Sequence, residues 1–113
     1  MRSDRERLLD ILEAIDRIEK YARLGRRRFK EDELVQAWMI HHIEIIGEAA
    51  ARISDALQRG HRDVPWREMA AMRNLLVHDY FGIDIERVWV TVERDLPCLS
   101  GKLRSILEIL PEP

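Results

Sequence analysis

The sequence has little that would suit it to life outside a reducing cell interior. It has one cysteine, Cys98, and a lone thiol cannot close an intramolecular disulfide, which excludes a disulfide-stapled secreted scaffold. It has no long apolar run: charged residues (35%) interleave with hydrophobic ones (46%) through most of the chain, which excludes both a membrane span and a disordered tail. The opening MRSDRERLLD carries charges where a signal peptide needs an apolar stretch. A soluble, cytoplasmic protein is expected. An excess of positive charge is missing too, since the formal net charge is -2 and the pI is about 6.1, so the molecule as a whole is not a basic body that binds nucleic acid indiscriminately. Arginines are still grouped at Arg23, Arg26, Arg27 and Arg28, and again at Arg59, Arg62 and Arg67. Each group reads first as solvated helix ends, with room for a local phosphate-attracting surface. Period-two alternation, internal repeats and low-complexity stretches are also absent, leaving no sign of a strand.

What is present is helical periodicity, in a chain of 113 residues that can build one hydrophobic core, so residues 1–113 read as a single domain. Ser3 and Glu6 have capping-box spacing, and Leu8, Ile11, Ile15, Ile18 and Ala22 follow at steps of three and four. This predicts a helix from Asp4 to about Leu24, closed by Gly25 in the left-handed conformation. A second helix is predicted from near Asp32 to Gly60, striped by Met39, Ile43, Ile46, Ala50, Ile53 and Leu57. Ile40, Ile45, Gly47 and Ala51 lie off that stripe, so this helix needs a second packing partner, inside the bundle or across a dimer contact.

Pro65 suits the first position of a short third helix whose buried side carries Trp66, Met69, Met72 and Leu76. Asp84 is a good N-cap for a fourth helix from Ile85, with Ile83 and Val88 spaced as a hydrophobic staple. The stripe Val88, Val92, Leu96, Leu99, Leu103, Ile106 and Leu110 keeps its phase across Pro97, which predicts one kinked helix rather than two. The expected fold is all-α, a bundle of four helices with a kinked C-terminal helix.

Where the third helix should end, Arg73-Asn74-Leu75-Leu76-Val77-His78-Asp79-Tyr80 sets four functional side-chain types beside an apolar stretch. At about 100° per residue, Asn74 and His78 share a helical face, whereas Arg73 and His78 point about 140° apart. For both to act on one phosphate, either the helix breaks after about Leu76 or the site is assembled from two chains. Asn74 is placed to hold one imidazole nitrogen and fix its tautomer. A permanently charged, forked guanidinium can grip a phosphate and stabilise the negative charge that grows on it. Histidine can take the proton from a ribose 2′-hydroxyl or return one to the leaving 5′-oxygen. This is the equipment for cleaving RNA without a metal, and two histidines brought together by a two-fold axis would supply both proton transfers.

The same segment resembles the HEPN superfamily signature, arginine, four residues, then histidine, extended by a tyrosine two positions on as in HepT-like toxins. The resemblance extends beyond it: Ile46-Gly47-Glu48-Ala49 resembles the family's second-helix pattern, Pro65-Trp66-Arg67 the start of its third helix, and Asp84 with Val88-Trp89 the start of its last. What the resemblance implies is a helical homodimer, with active clefts at the interface and Arg73 and His78 as the catalytic pair. Asn74 and Asp79 would support them. It also implies a nucleotidyltransferase antitoxin as partner, transferring AMP to Tyr80, where added bulk and negative charge would obstruct substrate phosphate. The alternative is a non-catalytic helical module that docks the nucleotidyltransferase.

Other residues invite weaker readings. His41, His42, Glu44 and Glu48 form a metal-like cluster, but helical di-metal sites repeat a glutamate-x-x-histidine unit on separate helices, and no repeat exists, so no metal and no cofactor is predicted. Trp38, Trp66 and Trp89 sit in or beside apolar patterns and read as packing residues before base-stacking ones. Cys98, beside Pro97, reads as a small buried hydrophobe.

Overall fold

Three- and four-step apolar spacing becomes helix along most of the chain. The computed structural model describes residues 2–77 and 84–111, in which α1 (Asp4–Ala22), α2 (Gly25–Glu31), α3 (Glu33–Ala51), α4 (Asp55–Gly60), α5 (Trp66–Val77), α6 (Ile85–Val90) and α7 (Leu96–Ile109) follow in order. A π-helical turn, Thr91–Asp95, joins α6 to α7. Among the described residues there is no strand, and no helix is long and apolar enough to cross a membrane.

Local chemistry sets the helix starts. The Ser3 and Glu6 capping box forms, with the Glu6 N–H donating to Ser3 Oγ and the Ser3 N–H donating to Glu6 Oε1, both at 3.1 Å. Asp32 caps α3 by accepting from the N–H groups of Leu34 and Val35, and Asp84 caps α6 by accepting from that of Arg87. Ile83, the other half of the predicted staple, lies outside the described residues.

α3 is the central element, packed against α1 on one side and α5 on the other, with α2 and α6 also touching it. Part of its surplus apolar surface is covered within the chain: Gly47 is buried, Ile40 and Ile45 are half-buried, and Ala51 is exposed. Leu8, Ile11, Ile15 and Ile18 of α1 meet Met39, Ile43 and Ile46 of α3, and Leu96, Leu99, Leu103 and Ile106 of α7 complete the core. Each such side chain, fully buried, contributes about 1.5–3 kcal/mol, the term that holds the bundle together.

The departures from sequence expectation have local causes. Gly25 takes φ 88°, left-handed as expected, but it begins α2 instead of a loop. The stretch GRRRFKE has one apolar side chain to bury, Phe29, and so shows no stripe; Phe29 packs against Trp89 with ring centroids 5.3 Å apart. The predicted second helix is in fact two. α3 stops at Ala51 and Ser54 caps α4, its Oγ accepting from the Leu57 N–H at 3.2 Å. Ile53 and Leu57 stay buried across the break, so the apolar phase continues while the hydrogen-bond ladder does not. Pro65 lies one residue before α5, and its carbonyl accepts from the Met69 N–H.

Around Pro97 the helical course runs unbroken from Ile85 to Ile109. The wider turn takes up the proline: Leu96 N–H reaches back five residues to the Thr91 carbonyl. In an ordinary α-helical ladder the missing N–H and the ring clash at this position would cost about 3 kcal/mol. Cys98, expected to be buried, is exposed: it points outward on α7 while the neighbouring Leu96 and Leu99 take the core face.

Candidate functional site

Arg73 sits on α5 where that helix crosses α3 most closely. The crossing is tight because position 47 has no side chain: a Cβ there would lie 3.1 Å from Arg73 Cβ, 3.2 Å from the Arg73 backbone nitrogen and 3.4 Å from the Ala70 carbonyl oxygen. Gly47 thus lets the backbone of α5 lie directly on α3. The next residue, Glu48, receives the Arg73 guanidinium, with Nη1 donating to Oε1 at 2.7 Å. Arg52 approaches the other carboxylate oxygen, its Nε 3.7 Å from Oε2. The Arg73 side chain keeps 39% of its surface in solvent, enough for a ligand to reach the charge.

Beside this crossing, a groove of about 580 Å³ runs between α1 and α3, lined by Arg2, Arg7, His41, Glu44, Glu48 and Arg52 among others. Arg2 is clamped by Asp10, with Nη2 donating at 2.6 Å and Nε at 2.8 Å, and this raises it above its ordinary value. Arg7 engages no acid among the described residues. The groove therefore mixes both signs, with Glu48 in its wall connecting it to Arg73.

Of the other predicted site residues, Asn74 lies in the last turns of α5, which is helical through Val77. The contacts of its side chain, and all of His78, Asp79 and Tyr80, lie outside the described residues, so the pairing of Arg73 with His78 is not defined. Met69 and Trp66 are buried on the core side of α5 and Met72 is half-buried, as the spacing predicts.

The remaining candidates have structural partners. His42 is buried, with Nδ1 2.7 Å from the Trp38 carbonyl oxygen and its ring 4.4 Å from that of Trp38. His41 stacks edge-on to His42, and Glu48 is occupied by arginines. Among the described residues no three His, Cys, Asp or Glu side chains converge as a metal ion would require. All three indoles donate inside the chain: Trp38 to the Arg17 carbonyl, Trp66 to the His61 carbonyl and Trp89 to Glu93 Oε2.

The two arginine groups differ. Arg26 pairs with Glu86, Arg27 with Glu31 and Arg28 with Asp32, so that group is largely neutralised. Arg59, Arg62 and Arg67 line a shallow depression of about 470 Å³ at the start of α5, and none has an acidic partner among the described residues. This second group is the one left to attract phosphate.

Sequence reasoning did not find the link between Glu48 and Arg73. Their separation of 25 residues is invisible to helical spacing, and Glu48 stood out there only as part of a metal-like cluster and of the segment Ile46-Gly47-Glu48-Ala49. The available signal was a glycine inside a strongly apolar helix, where it costs stability unless another backbone comes close.

Comparison with known proteins identifies the family of the chain. The family described as Ribonuclease HepT-like matches residues 11–106. A protein of Thermococcus cleftensis named "Probable ribonuclease HepT" is 43% identical over 106 residues, covering 93% of this chain and 96% of that protein. A Methanocaldococcus jannaschii protein named "Putative RNase" is 34% identical over 104 residues, covering 91% of this chain and 92% of the relative. No solved structure matches the chain. A match over most of the length, by both the family and its relatives, means that the chain belongs to the HepT-like ribonuclease family of HEPN proteins.

Proposed function

We propose that this protein is a metal-independent endoribonuclease, the toxin of a toxin-antitoxin pair, with Arg73 and His78 as its catalytic residues and Asn74 and Asp79 in support. The observation that carries the reading is Arg73 itself: in a chain of a ribonuclease family, its guanidinium is solvent-accessible and held at a close helix crossing by Glu48. In the reaction His78 removes the 2′-hydroxyl proton, the 2′-oxygen attacks phosphorus, and the bond to the 5′-oxygen breaks. The leaving oxygen takes a proton from a second imidazole, and Arg73 stabilises the extra charge on the phosphoryl oxygens. The products are a 2′,3′-cyclic phosphate and a free 5′-hydroxyl.

A homodimer is part of the reading. α5 remains helical through Val77, so up to the residue before His78 the backbone does not swing the arginine face toward the histidine. A cleft shared by two chains brings the two together across a two-fold axis. Control is by a nucleotidyltransferase antitoxin that adenylylates Tyr80, in the cytoplasm. The test is cleavage of RNA by purified protein in excess EDTA, with the ends of the products analysed. Cyclic phosphate ends, lost in Arg73→Ala and His78→Ala, are expected. Activity that vanishes with EDTA and returns with magnesium overturns the metal-free mechanism, and an inactive chain that still binds a nucleotidyltransferase favours a docking module.

A further inference from the structure

We propose that Glu48 is the positioning residue for Arg73, setting which edge of its guanidinium meets the RNA phosphate. The proposal rests on the reading of Arg73 as the phosphate-gripping group. An arginine on a helix surface has a long flexible stem, and a charge on such a stem is an imprecise tool unless something holds its tip. Two features of this fold hold Arg73. Gly47 brings α5 onto α3 and fixes the base of the side chain, with a hypothetical Cβ only 3.1 Å from Arg73 Cβ. Glu48, one residue on, fixes the tip through the 2.7 Å bond from Nη1 to Oε1.

The choice of nitrogen matters. A guanidinium presents a side edge, Nε with Nη2, whose two N–H groups run parallel and match two phosphoryl oxygens. Glu48 engages Nη1 and leaves that edge open, and among the described residues no acceptor occupies it. Arg52 at 3.7 Å from Oε2 holds the carboxylate from the far side, so the carboxylate is itself steadied between two cations. Glu48 has a second, opposing effect. Its charge cancels part of the attraction that Arg73 exerts on a phosphate, which weakens binding of substrate.

These two effects separate in steady-state kinetics on an RNA oligonucleotide with the full-length protein. Glu48→Ala removes acceptor and charge together: kcat should fall by up to about 100-fold, the order expected for a misplaced catalytic group, while KM falls. Glu48→Gln keeps an oxygen acceptor without the charge, so it should recover most of kcat and still show the lowered KM. Unfolding midpoints for each variant distinguish lost positioning from lost fold, and if the alanine variant does not fold, Glu48→Asp, which withdraws the carboxylate by one methylene, should show the fall in kcat. A role confined to stability predicts unchanged KM in every variant. Wild-type kcat in Glu48→Ala beside an inactive Arg73→Ala overturns the positioning role and leaves the catalytic reading standing, as does a glutamine variant as slow as alanine. Full activity in Arg73→Ala sinks the catalytic reading beneath it.

Discussion

Gly47 and Arg73 are neighbours through their backbones: the missing Cβ of one would stand 3.2 Å from the peptide nitrogen of the other. Two helices approach this closely only where one of them is bare, and the site inherits its geometry from that contact.

Gly47→Ala is therefore a test with competing signs. In a free helix the substitution gains about 0.5–1 kcal/mol by restricting the unfolded chain. Here the methyl group meets helix backbone, which cannot move aside as a flexible side-chain end could, and overpacking of this kind costs about 1–3 kcal/mol. The net effect expected in urea unfolding is destabilisation, larger in Gly47→Val, with loss of cleavage exceeding the loss of folded protein because Arg73 is displaced. A stabilised Gly47→Ala would mean that α5 shifts freely on α3.

A second prediction concerns the point where α1, the end of α3 and α4 meet. Ser54 caps α4 through Oγ and also donates its N–H to Asp4 Oδ1 at 2.9 Å and its hydroxyl to Asp4 Oδ2 at 2.5 Å. Ser54→Ala removes the cap and one of the two bonds to Asp4, and should cost about 1–2 kcal/mol. Asp4→Ala should cost less, and the double variant should cost less than the two added, since the residues share a network. Additive losses in a double-mutant cycle would show that the two do not act together.

How much of this was legible beforehand depended on whether the controlling interaction is local. Ser3 with Glu6 and Asp84 with Arg87 lie within a turn of each other, so the starts of α1 and α6 follow from spacing alone. The long stripe of α6 and α7 crosses Pro97 because one wide turn preserves its phase. α2 escaped because it buries only Phe29 among its seven residues, and the α3 to α4 break escaped because Ile53 and Leu57 hold the stripe through it. Arg73 was found as a motif residue. Its partner was not, because the register between α3 and α5 is set by packing over the whole interface and no short window of sequence contains it.

The pH dependence of stability should carry the mark of Glu86. Hydrogen bonds from Lys30 and then Arg26 hold its carboxyl below the usual carboxylate range, tying α6 to α2. Asp32 is held low by Arg28 and by the N–H groups it caps. A carboxyl depressed in the folded state stabilises the fold above its unfolded value, about 4.3 for glutamate and 3.9 for aspartate, and that stabilisation is lost as pH falls through the lower folded value. The advantage of the native protein over Glu86→Gln in urea should thus be constant around neutrality and shrink below about pH 4.5. The Glu86 carboxylate is half-exposed, so added salt should reduce the difference at every pH. An advantage that grows on acidification would reverse the assignment.

The last prediction separates regulation from catalysis at Tyr80, as the proposed function requires. A phenol with pKa near 10 is a poor proton shuttle at neutral pH, and the arginine and histidine of the motif already account for charge stabilisation and proton transfer. Its hydroxyl is a serviceable acceptor for a nucleotidyl group, and an adenylyl phosphate two residues from His78 would bring a negative charge to the place where substrate phosphate must enter. Tyr80→Phe should keep ribonuclease activity and toxicity, yet resist neutralisation when a neighbouring nucleotidyltransferase is coexpressed. Intact-mass measurement should then show AMP additions on the native chain and none on the variant. If Tyr80→Phe abolishes cleavage while the protein stays folded and dimeric, the tyrosine belongs with Arg73 and His78 in the chemistry, and the antitoxin must act elsewhere.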